Sequence, residues 1–363
     1  MVKRPDQIVS FGSHDFGFAP GRGIGRLIAI EYHDDLKEVQ GDPVLAELLS
    51  VPQAVAPFDR IEWWENLAGS CGLIPLIAVA RDGEHRAILP LMRLGRRIVA
   101  LANWYSFRVR PLVTIGADVR ALLTAMARDL AGEAPRITFG PLPNEEGEAA
   151  LLEDCFRRAG WAVFRERCDV NHTLQIDGRS FADYMASRPG PLRTTLKRKA
   201  GKVTVTIETA FNPESWSAYE AIYAQSWKPN EGSPEFLRRF AEEEGAAGRL
   251  RFGIAFAEGV PVAAQFWTVE HHTAFIHKLA HTQDSKPLSP GTALSAALFE
   301  YVIDHDHVAL VDFGTGDDSY KRDWMEVARP RYRIEAFRPG WPGNWPALAK
   351  RALGSLAAGG SDG

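Results

Sequence analysis

LRFGIAFAEGVPVAAQFWTVEHHTAFIHKLAHTQDSKPLSPGTALSAALFEYVID, residues 250–304, is the stretch on which the architecture turns. Residues 250–257, 261–269 and 273–281 are apolar runs rich in β-branched and aromatic side chains, joined by short turns at Glu258-Gly259 and at residues 270–272. Short turns between such runs predict an antiparallel meander of three strands. The period then changes: from Pro290 to about residue 304, Leu294, Ala297, Leu298, Tyr301 and Val302 recur at i, i+3, i+4, i+7 and i+8, one apolar stripe of a helix. Upstream, residues 203–208 (VTVTIE) read as a strand, and Asn212-Pro213-Glu214 opens a helix carrying Trp216, Tyr219, Ile222, Tyr223 and Trp227 that Pro229 ends. Ser233-Pro234 starts a second helix with Phe236, Leu237 and Phe240 on one face. Downstream, a buried strand at 308–313, a short helical piece at 319–325 and a strand at 331–337 complete the order β-α-α-β-β-β-α-β-α-β.

The first half repeats this order loosely: strand 26–31, helices 43–49 and 59–68, strands within 73–101, helix 117–131, strand 136–139, helix 145–159 and strands over 161–176. The expectation is an α/β (α+β) protein of two similar domains, residues 1–168 and 169–345, with a partly disordered tail at 346–363. Each would have a mixed, mainly antiparallel central sheet flanked by helices. The length of 363 residues suits two cores. With 45% hydrophobic and 24% charged residues, the chain is unlike a disordered one, and its net charge of −4 provides no global pull toward DNA or an anionic membrane. Three widely spaced cysteines, Cys71, Cys155 and Cys168, form no C-x-x-C pair, so neither a zinc ribbon nor a disulfide framework is indicated. Lys3 and Arg4 precede Pro5 and Asp6 instead of an apolar leader, and no apolar run approaches membrane-spanning length, which predicts a cytoplasmic protein without a membrane span.

Three constellations carry chemistry. Lys286-Pro287-Leu288-Ser289-Pro290-Gly291-Thr292 sits between a strand and a helix. Ser289 as N-cap and Pro290 as first helical residue leave the amides of Gly291 and Thr292 unpaired at the positive helix end, where a phosphate fits, with Lys286 available to neutralise it. The plainer reading is an ordinary capped helix. Asp312-Phe313-Gly314-Thr315-Gly316-Asp317-Asp318-Ser319-Tyr320-Lys321 follows a buried strand, where open α/β sheets place ligands; it also reads as a polar turn capping the next helix. Arg188, Arg193, Lys197, Arg198, Lys199 and Lys202 form a basic run in which Leu192 and Leu196 share a helical face; it suits a 3′-phosphate or RNA, or is simply a solvated face. Two patterns are set aside. Gly21-Arg22-Gly23-Ile24-Gly25-Arg26 lacks the strand before and helix after that a phosphate loop needs, and His271, His272, His277, His281, His305 and His307 lack a ligand spacing, so no metal is expected.

The element order, the phosphate-suited helix start and the Tyr-bearing segment together resemble the GNAT acyltransferase superfamily. Leu192-Arg193…Lys197-Arg198-Lys199, Gln225-Ser226-Trp227-Lys228, Pro261-Val262-Ala263-Ala264, Lys278-Leu279-Ala280-His281, Ser289-Pro290-Gly291-Thr292 and Asp312-Phe313-Gly314…Gly316…Tyr320-Lys321 look like blocks of its FemAB-like and CelD-like (cellulose-biosynthesis) acetyltransferase branch. In the first half Pro57-Phe58…Trp63-Trp64 and Leu89-Pro90-Leu91 are similar. The resemblance implies an acyltransferase taking acetyl or another acyl group from acyl-CoA to an amine or hydroxyl, here of a small-molecule or glycan-precursor acceptor, a polysaccharide precursor or a lipid intermediate. The pyrophosphate loop departs from the usual Arg/Gln-x-x-Gly-x-Gly/Ala pattern, being Ser289-Pro290-Gly291-Thr292-Ala293. The resemblance implies the donor on Lys286, Ser289, Gly291, Thr292 and Ala293 and the acceptor near Arg193, Trp227, Lys228, Lys278, His281 and Lys321. Tyr320 would protonate the leaving thiolate, a strand amide within 273–281 would hold the thioester oxygen, and Asp312 or Asp317 would receive a proton or orient the acceptor's ammonium. Alternatives are a FemAB-like aminoacyl transferase using tRNA and a non-catalytic GNAT-fold binding module; the long helical-hairpin insertion of some tRNA-dependent relatives is missing.

Overall fold

A computed structural model describes residues 28–199 and 201–351. The Gly21–Arg26 glycine run and most of the expected tail lie outside the described residues. The chain divides into two compact units, the first holding residues up to 68, 72–168 and from 330 onward, the second 69–71 and 169–329.

In the first unit the elements are β1 (Ala29–His33), α1 (Leu36–Gly41), α2 (Pro43–Leu48), α3 (Ile61–Cys71), β2 (Pro75–Asp82), β3 (His85–Leu94), β4 (Arg97–Ala100), β5 (Leu112–Val113), α4 (Val119–Glu133), β6 (Arg136–Leu142), α5 (Glu148–Arg158) and the start of β7 (Ala162–Gln175). Asp42 caps α2 by accepting from the amide of Val44 at 2.8 Å, and Pro43 takes the first helical position, where no amide is needed. β1, β2, β3 and β4 pair antiparallel in that order, and β4 then pairs parallel with β6. β2 is buried along its first six residues, Pro75 to Ala80, as a central strand covered on both faces must be. α4 and α5 cover one face, where Leu122, Met126, Leu152 and Phe156 pack with Ala78, Leu89 and Ile137.

The second unit contains the end of β7, then α6 (Phe181–Ala186), α7 (Gly190–Lys199), β8 (Thr204–Glu208), α8 (Pro213–Ala224), α9 (Pro234–Ala246), β9 (Leu250–Ala257), β10 (Val260–Glu270), β11 (Thr273–His281), α10 (Pro290–Glu300), β12 (Leu310–Thr315), α11 (Ser319–Trp324) and the start of β13 (Val327–Phe337). β8, β9, β10 and β11 pair antiparallel, β11 pairs parallel with β12, and β12 pairs antiparallel with β7 over residues 171–175. α8 and α9 cover one face with aromatic contacts: Trp216 stands 5.7 Å from Phe252 and 5.6 Å from Phe266, and Phe240 is 5.5 Å from Phe266 between ring centroids. On the other face α10 lies so close to β9 that a Cβ on Gly253 would meet Leu294 Cδ1 at 2.8 Å and Leu298 Cδ1 at 3.0 Å.

Both units therefore have a mixed, mainly antiparallel sheet flanked by helices, the architecture expected. The second unit ends at residue 329, not 345, and β13 reaches back: Tyr332–Phe337 pair with Leu142–Arg136 of β6 in the first unit. Arg188 is also removed from the basic run. It is buried, paired with Glu326 and stacked 4.9 Å over the ring of Tyr184, whose hydroxyl donates to the carbonyl of Trp324 at 2.8 Å.

Candidate active site

β11 and β12 stay together for only three residues, Thr273–Phe275 against Leu310–Asp312. Beyond that point β11 keeps β10 as far as His281, and β12 keeps β7 as far as Thr315, so the two strands part and leave a wedge between them. Two local causes are visible. The β10–β11 register shifts so that Phe266 faces Lys278 while Trp267 faces Ile276, leaving His277 as the extra residue of a bulge that bends β11. Gly314 near the end of β12 and Gly316 just past it have φ 67° and 100°, conformations that cost glycine little.

At the tip of the wedge stands α10. Ser289 departs from expectation: it adopts φ 54°, and its side chain caps nothing, while its carbonyl accepts from the amide of Ala293 at 3.2 Å. Pro290 has no amide, so Gly291 and Thr292 present the unpaired amides of the first turn, as expected of a helix start. Gln265, one of three buried polar residues of β10 with Thr268 and Glu270, fixes this turn by donating to the carbonyl of Gly291 at 3.2 Å and to Ser295 Oγ at 2.7 Å. A Cβ on Gly291 would lie 3.4 Å from His281 Cδ2. His281 in turn packs at a tilt against Trp227, ring centroids 4.5 Å apart and planes 39° from parallel, and its Nδ1 is 2.9 Å from the Thr282 carbonyl, which leaves Nε2 as the other ring nitrogen. Trp227 is 49% exposed, so it is a wall and not core. Lys286 is exposed on the turn just before α10.

Three lysines converge here. Lys278 pairs with Glu231 at 2.6 Å and lies 4.9 Å over the ring of Tyr223; burial lowers its pKa, opposed by Glu231. Lys321 is 5% exposed, and its ammonium donates to the carbonyls of Thr315 at 2.5 Å and Gly314 at 3.3 Å, not to Asp317. Burial lowers its pKa too, with Asp318 the foremost opposing charge. Lys228, 5.7 Å over Trp227, has no carboxylate within ion-pair distance among the described residues. Burial and then the charge of Lys278 bring its pKa down to about 8, against the pull of Glu231 and Asp318.

The acids and Tyr320 are placed as follows. Asp312 Oδ1 accepts from Asn171 Nδ2 at 3.0 Å and from the amide of Gly314 at 2.8 Å, bracing the point where the strands part. Asp317 pairs with Arg322 at 2.6 Å and His172 at 3.0 Å, and Arg322 foremost holds its carboxyl below the usual range. Tyr320 is half-buried, edge-on to Phe313 at 5.7 Å; burial and the neighbouring Asp318 keep its phenol protonated well above neutral pH. Arg193 stands on the exposed face of α7, and nothing links it to the lysines. Glu231, His172 and Gln265 were not singled out from sequence, and Tyr223 was named there only as a helix residue. Of these, Gln265 carries a local signal, a polar residue between Ala263-Ala264 and Phe266-Trp267.

Residues 192–322 match the family model described as acetyltransferase (GNAT) domain. No curated protein sequence matches the chain. Among solved structures, FemX is similar with a TM-score of 0.58 at 10% identity, over 84% of this chain and 96% of that one. The C-terminal domain of an Agrobacterium fabrum protein described as a lysylphosphatidylglycerol synthetase aligns with TM-score 0.56 at 13% identity, covering 89% and 96%. L-PGS from Bacillus licheniformis gives 0.55 at 14%, covering 88% and 96%. At these identities the likeness is one of fold. The matched segment begins in α7 and ends in α11, so it takes in the wedge, the α10 start and all three lysines. No helix among the described residues is long and apolar enough to cross a membrane.

Proposed function

We propose that this chain is an acyl-CoA-dependent acyltransferase of the CelD-like branch, whose second unit transfers an acyl group, acetyl first among them, to an amine or hydroxyl of an anionic acceptor such as a polysaccharide precursor or lipid intermediate. The observation that supports it best is the wedge between β11 and β12 ending at the start of α10. An extended thioester arm can add to the open edge of β11 as a strand would, while its pyrophosphate meets the amides of Gly291 and Thr292. Lys286 and Ala293 flank that phosphate position. The thioester supplies an activated carbonyl, and a β11 amide in the wedge would donate to the oxygen that becomes negative. Tyr320, protonated at working pH, would deliver the proton to the departing sulfur. Asp317, held ionised by Arg322 and His172, suits orienting an acceptor ammonium better than receiving a proton, since a carboxylate with lowered pKa is a weak base; the ammonium would lose one proton to water before attack, and the N–H proton released as the C–N bond forms and the C–S bond breaks would balance the one Tyr320 gives the thiolate.

The acceptor's charge follows from the lysines. Lys228, Lys278 and Lys321 face Glu231 and Asp318, and Lys278 already has Glu231 as its partner. A phosphate or carboxylate on the acceptor would supply the missing counter-charge, with Trp227 and His281 as an aromatic wall beside it.

Calorimetric titration with acetyl-CoA and longer acyl-CoAs tests this. Micromolar binding by wild type, lost in Gly291→Glu, is the expected result; no binding to any thioester overturns the reading. The unpaired basic face of α7 favours a second one, an aminoacyl-tRNA donor, for which binding would fall steeply with salt.

A further inference from the structure

The end of α7 carries a run of cations, Lys197, Arg198 and Lys199 in its last turn. Between Asp183 and Glu208 the sequence has no acid, and Arg193, Lys197, Arg198, Lys199 and Lys202 pair with no carboxylate among the described residues. Position along the sheet distinguishes two of them. Val205 of β8, Ala255 of β9, Ala263 of β10 and His281 of β11 form one cross-strand row. The β8 start, and with it the corner where α7 turns through Lys202 into the strand, therefore lies at the same end of the sheet as His281 and the first turn of α10, which sits on it. The Lys202 amide closes this corner on the Lys199 carbonyl at 3.0 Å. Gln265 anchors the α10 start over β10, two strands from β8, a separation of about 10 Å at ~4.8 Å per strand. Lys199 continues the Leu192–Leu196 stripe, and that is the stripe by which α7 packs against α10.

We propose that Lys199 and Lys202 form the subsite for the 3′-phosphate on the nucleotide end of acyl-CoA. This rests on the acyl-CoA reading above. With the pyrophosphate at Gly291 and Thr292, the third phosphate is a doubly charged group that must find counter-charge within a nucleotide's reach, and this corner supplies two ammoniums with no internal partner. Cations in the last turn of a helix also favour its dipole, so a role in helix stability alone is the competing account.

The test is calorimetry of wild type and Lys199→Ala/Lys202→Ala with CoA and with 3′-dephospho-CoA, with melting temperatures recorded for both proteins. Charge-assisted bonds to one phosphate predict that wild type binds CoA about tenfold or more tightly than the dephospho form. The double variant should bind both forms equally, at wild-type affinity for the dephospho form, and Lys199→Arg/Lys202→Arg should restore the preference. Equal binding of both forms by wild type overturns the subsite while leaving the acyl-CoA reading intact. A preference that survives the double alanine variant also overturns it and moves the phosphate to Lys286. A lowered melting temperature with unchanged preference would show the helix-dipole account sufficient. Absence of binding to either form overturns both readings together.

Discussion

Lys228 is a half-buried ammonium next to two others, and its surroundings favour the neutral amine, with a pKa of about 8 against 10.5 in the unfolded chain. Such a group costs stability wherever the unfolded chain holds a proton that the folded one resists. That cost is complete below about pH 8 and disappears as pH rises past 10.5. Lys228→Met should therefore stabilise the ligand-free protein by about 1 kcal/mol at pH 7, and the gain should shrink toward zero by pH 10.5 in urea titrations across pH. The same variant should raise the KM for an anionic acceptor; a destabilised Lys228→Met would mean that the ammonium has a partner in the fold and is not waiting for one. Tyr320 permits a separate check, because its hydroxyl neighbours Asp318 while its ring packs on Phe313. Tyr320→Phe should keep acyl-CoA affinity and stability yet lose about 10²- to 10³-fold in turnover, and unchanged turnover removes it as the acid.

Two glycines show how elements set the site. In α9, replacing glycine by alanine normally favours a helix, but a Cβ on Gly245 would stand 2.6 Å from the backbone nitrogen of Phe211. Gly245→Ala should therefore destabilise, by about 1–3 kcal/mol, with the sign opposite to propensity. Gly253→Ala acts on the site itself. Its Cβ meets Leu294 and Leu298 on the buried side of α10, so the helix must lift, and acyl-CoA affinity should fall by more than the melting temperature suggests. A variant of normal affinity would separate the α10 start from donor binding. The same two elements show what was legible in the sequence. The meander and the period switch at Pro290 follow from local patterning, and the α10 start was readable as a phosphate-suited turn. Ser289 and Pro290 hold the cap and first-turn positions expected of them, but the Ser289 side chain bonds no helix amide and its backbone is left-handed, which no residue preference announces. Glu231 and His172 were missed for another reason: each reaches its partner, Lys278 or Asp317, from a different element, and pairing across a fold leaves no spacing in the chain.

At the scale of the whole chain, the two units follow one plan, an antiparallel meander, a parallel pair and a closing antiparallel strand, but the closing strands come from unexpected places. β12 is closed by the end of β7, and β6 by β13, which arrives after the entire second unit. A cut at residue 168 would thus leave the first unit without the strand that buries Ile334, Ala336 and Phe337. It would also lose Arg331, which pairs with Glu145 at 2.5 Å, and Glu335, which pairs with Arg136. Burial of Ile334 and Phe337 alone is worth about 3–6 kcal/mol, comparable to the net stability of a domain. A chain ending at residue 329 should therefore retain the Leu294, Leu298 and Trp267 core of the second unit while hydrogen exchange at residues 136–142 rises toward that of an unfolded segment. The first-unit defect would come from a deletion nearly two hundred residues away in sequence, since β6 and β13 pair Thr138 with Glu335. Unchanged protection over 136–142 would show that β4 alone holds β6 in place, and that the first unit closes without the returning strand.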